Sequence, residues 1–333
     1  MILDAHCCDS RAWDPFPYSN APPGALPRSL GSSVSQMSQV QSSPRKPLRS
    51  KVVTQEKVDK RIAAGDGQGV REDYVPWIKV RAFPSRGTSH IVPGVKVHRA
   101  HHLLSNAEYH YHVILEHDRS IIDIREQFPL LPAAETQAIA SSLKVRPPVY
   151  PGASVPLVLT TDFLITQVDS SGKERLVARS MKYASEIEDA SKADQDRLLE
   201  KLEIERIFWA RRNIEWKLVL YERLSQIRIR NLLILRSYAL ISPTLMTEKN
   251  IIRMVEVVTM VKTGEIPLKT LLLKIAKCLY MEYMGVKGLF FHLIWVGRLK
   301  VDLNSKMIEL SKPLYVESVG LCELSSGEVP RHA

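Results

Sequence analysis

The chain has 333 residues, a formal net charge of +10 and four cysteines. A hydrophobic share of 45% supports packed cores, which excludes a wholly disordered chain, and the length suits two domains plus a tail. Cys7, Cys8, Cys278 and Cys322 make neither a zinc spacing nor a disulfide framework, which points to a reducing, cytoplasmic compartment. The most apolar run, Leu289 to Val296, is too short to span a bilayer. Met1-Ile2-Leu3-Asp4 lacks the basic-then-apolar order of a signal peptide. No membrane partner is therefore expected. The positive charge favours a polyanion, although it also serves solubility.

In chain order, residues 1–50 read as a disordered Ser/Pro-rich extension, with Arg45, Lys46, Arg49 and Lys51 near its end. Val58 and Ile62 predict a short helix ending at Gly65. Gly65-Asp66-Gly67-Gln68-Gly69 follows no strand and precedes no Gly-Lys-Ser/Thr, so it is not a nucleotide loop. Tyr74 to Val80 reads as a strand and Ser85 to His90 as a polar loop. Of His98, His101, His102, His110, His112 and His117, only His98 with His101 or His102 has one-face helical spacing, and no third ligand follows. Ordinary surface or core histidines are the simpler reading.

Ser105-Asn106-Ala107-Glu108 is a formal capping box opening a helix to about His117. The cap competes with any metal for the single Glu108 carboxylate. Ile121 to Phe128 predicts a short buried strand, and Thr136 to Leu143 a helix. Pro147 and Pro148 then open an irregular link to a hairpin. There Val158 to Ile165 and Arg175 to Tyr183 flank a turn containing Gly172. Alternation puts Asp162 on a face with Val158, Thr160 and Leu164, and Ala178, Ser180 and Lys182 on one face of the second run. If the two faces coincide, a carboxylate, a hydroxyl and an ammonium meet. On spacing alone, a surface hairpin with its charges in water is the commoner reading. A strong helix spans about Asp196 to Arg212, with Glu205 inside its apolar stripe, either paired with a cation or metal or at a solvated edge. Trp216 to Tyr221 closes this domain, 54–225, as a strand.

Beyond it, residues 226–240, 250–262 and Leu268 to Met284 predict helices, and Gly285 and Gly288 precede a short apolar helix ending at Gly297. Leu299, Val301 and Leu303 alternate, Asn304-Ser305-Lys306 turns, and Ile308 and Leu310 return. Helices followed by a hairpin predict a winged-helix-like C-terminal domain over 226–320. The short apolar helix lacks the polar side chains that read base edges, so core or protein contact is expected of it.

An aspartate on one strand and X-x-Lys on the next resembles the PD-(D/E)xK nuclease core. More specifically, the stretch from about Thr54 to Tyr221 resembles TnsA, the endonuclease subunit of heteromeric cut-and-paste bacterial transposases. The resemblance rests on Gly67-Gln68-Gly69 with Asp73-Tyr74-Val75-Pro76-Trp77 and on His101-His102-Leu103-Leu104-Ser105 before Glu108. Asp123-Ile124-Arg125-Glu126-Gln127-Phe128-Pro129-Leu130-Leu131-Pro132, Thr161-Asp162-Phe163-Leu164 and Glu200-Lys201-Leu202-Glu203-Ile204-Glu205-Arg206 continue it. It implies an α/β fold: a restriction-endonuclease-like core, a mixed sheet flanked by helices, followed by a mostly helical domain. It implies Glu108, Asp162 and Lys182 as catalytic residues, with Mg²⁺, or Mn²⁺ in its place, held by Glu108 and Asp162. Glu205 is a candidate further ligand. The family pattern has glutamine two residues before the lysine; Ser180 stands there, so its metal ligation is doubtful and would run through a water. The implied function is cleavage of the 5′ ends of a transposon. The implied partners are double-stranded DNA at those ends, a DDE-type transposase subunit, and an AAA+ ATPase regulator engaged through the C-terminal domain. A stand-alone restriction or repair nuclease and an inactive DNA- and partner-binding scaffold are the alternatives. Neighbouring transposase and ATPase genes separate the first from the family reading, and a metal-dependent cleavage assay the second.

Overall fold

The computed structural model of the chain describes residues 53–80, 88–261 and 263–319. The expected extension over 1–50 and part of the expected loop, Ser85 to Gly87, lie outside the described residues. Helix α1 (Gln55–Ala63) starts on Thr54, whose side chain accepts from the Lys57 amide, and stops before Gly65 at φ +87°. The expected strand from Tyr74 to Val80 is not formed. Pro76 has no amide to give to a ladder, and the segment is fixed by other means. The Tyr74 hydroxyl donates to the Glu126 carbonyl at 3.0 Å, and the Trp77 amide to the Gln127 carbonyl at 3.2 Å. Trp77 is buried beneath the Arg61 guanidinium.

Strands β1 (His90–Pro93) and β2 (Ala100–Leu103) form an antiparallel hairpin. Helix α2 (Asn106–His117) follows, then strand β3 (Ile121–Pro129) and helix α3 (Ala133–Ser142). The expected central hairpin is strands β4 (Thr160–Val168) and β5 (Glu174–Lys182), with Gly172 at φ +82° in its turn. Short helix α4 (Ser185–Glu188) and long helix α5 (Lys192–Ala210) lead to strand β6 (Glu215–Leu220). α5 begins earlier than its apolar stripe because Ser191 caps the Asp194 amide at 3.2 Å.

These strands make a mixed sheet in the order β3-β4-β5-β6. The first two pairings are antiparallel, and β5 and β6 are parallel, a pairing that requires a crossover, here α5. Leu164 and Ala178 pack one face of the sheet against Ile139 of α3 and Ile204, Phe208 and Trp209 of α5. Ile124, Phe163, Ile165, Val177 and Met181 pack the other face against Ala107 and Leu115 of α2. Each fully buried side chain of this size contributes roughly 1.5–3 kcal/mol. The nuclease-sized portion is thus a sandwich with a sheet between helical layers.

Helices α6 (Gln226–Arg236), α7 (Glu248–Met260), α8 (Leu268–Leu279) and α9 (Tyr283–Trp295) build the C-terminal region. α8 stops short of Met284 because Tyr280 takes a left-handed conformation, φ 52°. Gly285 and Gly288 lie within α9 rather than before it. A Cβ on Gly285 would meet Leu245 Cδ2 at 3.3 Å, so this glycine allows close packing, whereas a Cβ on buried Gly288 would meet nothing within 4 Å. The apolar run Leu289 to Trp295 is core. The expected return strand at Ile308 and Leu310 is not formed; β7 (Leu299–Lys300) pairs instead with β8 (Ser318–Val319). The cause is Asn231, fully buried on α6. Its carboxamide donates to the carbonyls of Leu303 (2.9 Å) and Lys306 (2.8 Å) and accepts from the Ile308 amide (2.8 Å), taking the loop's backbone groups out of any ladder. Val113 of α2 belongs to the core of this C-terminal region, and Arg236 of α6 pairs with Glu116 of α2 at 2.5 Å.

Candidate active site

Glu108 enters on the first turn of α2. Its amide donates to Ser105 Oγ at 3.1 Å, and Ser105 Oγ donates back to Glu108 Oε1 at 3.0 Å. The second carboxylate oxygen reaches the Leu104 amide at 2.9 Å, one residue before the cap. The capping box therefore forms, but it leaves Oε2 facing the sheet, where Gln127 Nε2 donates to it at 3.1 Å.

Asp162 lies near the start of β4. Its Oδ2 accepts from the Met181 amide at 2.7 Å, so the carboxylate stands where a ladder bond to β5 would otherwise run. Its Oδ1 accepts from Gln127 Nε2 at 3.4 Å. Lys182, at the end of β5, donates to the Met181 carbonyl at 2.7 Å. Glu108, Asp162 and Lys182 thus come together from three elements, with Gln127 of β3 between the two acids.

At this level the strands change faces. On β3, Ile124 packs on the α2 side and the Glu126 carboxylate meets His101, yet Phe128 packs against Trp209 in the α5 layer. On β4, Phe163 faces α2, whereas Thr161 bonds Glu205 and Trp209 of α5. Strict two-residue alternation is broken on both strands, and Gln127 and Asp162 sit at the break. Gln127 takes φ +49°, a left-handed conformation that costs a non-glycine residue roughly 1–2 kcal/mol.

The electrostatics follow from burial. Burial, and then the Asp162 charge, push the Glu108 carboxyl up to about 8 against the Leu104 amide, Ser105 and Lys182. Burial alone would lower the Lys182 ammonium. The charges of Asp162, Glu186, Glu108 and Glu205 outweigh it and hold the group above the ordinary lysine value. Lys182 is therefore a cation at neutral pH and no proton acceptor. Two crowded acids with one lysine form a site that a hard divalent cation suits. Among the described residues, no group of three or more His, Cys, Asp or Glu side chains is arranged as a metal cage. Two carboxylates with water and phosphate oxygens are the donor set Mg²⁺ commonly accepts.

Ser180 and Glu205 meet in a second, buried network. Ser180 Oγ donates to Glu205 Oε1 at 2.5 Å and Thr161 Oγ1 to the same oxygen at 2.6 Å. Trp209 Nε1 donates to Thr161 at 2.6 Å and Trp216 Nε1 to Ser180 at 3.3 Å. Glu205 is thus buried within its stripe, and burial raises its carboxyl to about 7 despite these hydroxyls. The Ser180 hydroxyl is occupied by Glu205. We expect Ser180→Ala to lower stability by about 1–3 kcal/mol while cleavage stays within a few-fold. Thermal melts and cleavage rates on the same preparation check this, and a folded variant without cleavage would give Ser180 a direct role.

Sequence reasoning did not single out Gln127. The signal was present: a strand read as buried that carries Asp123, Arg125, Glu126 and Gln127, all of them buried. The histidines are placed differently from a helical ligand pair. His101 and His102 are neighbours on β2; His101 Nδ1 lies 2.9 Å from Glu126, and His102 accepts from the Val80 amide at 3.1 Å.

Comparison with known proteins agrees with this core. Residues 118–220 match the family model described as TnsA-like endonuclease N terminal. That stretch holds Gln127, Asp162, Ser180, Lys182 and Glu205, and Glu108 falls just before it. The chain is 40% identical over 159 residues to the Transposon Tn7 transposition protein TnsA of Escherichia coli, covering 48% of this chain and 54% of the relative. The match thus spans about half the length of that curated relative. Over this region the chain is TnsA-like.

Proposed function

We propose that this TnsA-like chain is a metal-dependent DNA endonuclease that cleaves the 5′ ends of a transposon during cut-and-paste transposition. The observation that carries the reading is the Glu108–Gln127–Asp162 cluster, buried at Glu108 and Gln127 and half-buried at Asp162, beside the Lys182 cation. The similarity to a transposition protein supports the biological setting. Glu108 and Asp162 would hold Mg²⁺ or Mn²⁺, which when bound would make a water more acidic and offset charge on phosphoryl oxygens. Glu108 from helix α2 and Asp162 from strand β4 would hold that ion from the two sides of the gap. Lys182 donates to the attacking water or to the phosphoryl oxygens on which charge builds, which its charged state permits. Burial, and then the charges of Arg197, Arg146 and Lys182, lower the Lys201 ammonium of α5, so these cations act on Lys201. Basic groups near the site suit the DNA backbone.

The C-terminal region is proposed to engage protein, an AAA+ ATPase regulator, beside a DDE-type transposase subunit that acts on the other strand. In support, the apolar run Leu289 to Trp295 of α9 is core, whereas Leu240, Met260, Tyr280, Met284 at the start of α9, and Tyr315 are exposed large apolar side chains. No described helix is long and apolar enough to cross a membrane.

Cleavage of end-bearing DNA is expected to need Mg²⁺ or Mn²⁺, with Ca²⁺ supporting binding only, because the donors are oxygens that suit hard cations. Titrating chelator and then each metal into the assembled reaction tests this. Full cutting in chelator would remove the reading.

A further inference from the structure

Gln127 has a conformation and a set of contacts that the strand alone does not require. It sits within β3, between the ladder pairs Glu126↔Phe163 and Phe128↔Thr161, at φ +49°. Side chains other than glycine, asparagine and aspartate rarely adopt that backbone. It is also 2% exposed. Its carboxamide is used fully: Oε1 accepts from Thr160 Oγ1 at 3.3 Å, and Nε2 donates to Glu108 Oε2 at 3.1 Å and Asp162 Oδ1 at 3.4 Å. A hydroxyl serves either end of an amide, so the carboxylates, which only accept when ionised, are what turn the –NH₂ end toward the acids. One –NH₂ group thus holds one oxygen of each carboxylate toward the other, from helix α2 on one side and strand β4 on the other.

We infer that Gln127 is the positioning residue that sets the Glu108 and Asp162 carboxylates at the separation a single divalent cation requires. The strained backbone is the means. A strand in regular alternation would send this side chain into one helical layer, whereas the left-handed turn aims it along the gap between α2 and β4. The inference rests on the metal-nuclease reading above. Groups of this kind, which bond to ligands without being ligands, typically change metal affinity by about 10–100-fold when removed.

The discriminating variant is Gln127→Gly. Glycine takes φ +49° without the steric cost of a Cβ, so the fold is relieved while the tie is cut. We expect the melting temperature to stay or rise and Mn²⁺ affinity, measured on the full chain without DNA by the free-Mn²⁺ electron paramagnetic resonance signal, to fall by roughly 10–100-fold. A residue with a merely structural role would not separate these two readouts. Gln127→Asn is the second variant: it tolerates the left-handed backbone and keeps the amide, but is one methylene short, so affinity falls here too. Should the glycine variant fail to fold, the asparagine variant decides. Unchanged Mn²⁺ affinity in a folded variant overturns the inference. Asp162→Ala separates it from the larger reading. If the natural chain binds Mn²⁺ and Asp162→Ala abolishes that binding while Gln127→Gly does not alter it, only the role of Gln127 falls. If the natural chain binds no Mn²⁺, the metal-nuclease reading falls with it.

Discussion

Asp162→Ala is expected to lower 5′-strand cleavage by ~10³-fold or more, equivalent to about 4 kcal/mol of transition-state stabilisation. The carboxylate is held beside that of Glu108 by Gln127, and alanine removes both of its oxygens from the site. In an assembled reaction, 3′ cuts should persist without 5′ cuts. Part of any effect could come from folding, because Asp162 Oδ2 also accepts from the Met181 amide at 2.7 Å. Leaving that amide unpaired costs about 1–3 kcal/mol. Asp162→Asn separates the two. Its carboxamide oxygen can still accept from Met181, so stability should be retained, yet the charge is gone and cleavage should fail equally. A spectroscopic mark accompanies it. The Asp162 charge is, after burial, the largest cause raising Glu108, so the Glu108 carboxyl should titrate below about 8 in either variant. Normal 5′ cutting by a folded Asp162→Asn protein would defeat the assignment of the site.

What the sequence made legible was local. The Ser105–Glu108 capping box, the Gly172 hairpin and the amphipathic α5 depend on neighbours a few residues away, and each formed as its residues imply. What it concealed was decided by partners far along the chain. Alternation from Asp162 assumes unbroken strands, but β3 and β4 change faces at Gln127 and Asp162, and no periodic pattern announces a left-handed glutamine. Ser180 was placed beside Asp162 and Lys182 by counting in twos; α5 crosses that face and draws the hydroxyl to Glu205. The Ile308–Leu310 return was a sound pattern that lost to one buried side chain, Asn231, which satisfied the loop's backbone before a ladder could. In each case a buried polar residue overrode an apolar pattern, so the polar residues inside apparent core segments were the more informative letters.

Arg99→Met is expected to destabilise the folded chain by about 3–5 kcal/mol at neutral pH, the cost of stranding a buried charge rather than of losing contacts. Glu126 is fully buried on β3. Arg99 Nη1 and Nη2 donate to its two oxygens at 2.8 and 2.6 Å, His101 Nδ1 lies at 2.9 Å, and the His102 amide donates at 2.9 Å. Burial alone would raise this carboxyl, but the bonds from Arg99 and His101 outweigh it and hold it far below the usual carboxylate range. A depressed folded value means that the unfolded chain takes up the proton first. The stability Glu126 contributes is therefore fully present above its unfolded pKa of about 4.3 and is lost as pH falls through the folded value. Methionine fills much of the arginine's volume without its charge, so Glu126 keeps its burial and loses its cation. Its carboxyl then rises, and in the variant acid favours the folded state at this site instead of opposing it. The gap between natural chain and variant should be largest near neutral pH and above, begin to shrink as pH falls through the raised Glu126 value of the variant, and shrink further below about pH 4.3 as the natural chain loses its own contribution. Buried His112, held well below its ordinary value chiefly by burial, makes both proteins less stable as pH drops below about 6.5, so it largely cancels in the difference. Denaturant unfolding of both proteins at a series of pH values measures this gap. A gap that stays constant with pH would assign the loss to packing around Arg99, and the Glu126 charge would then not be what this pair stabilises.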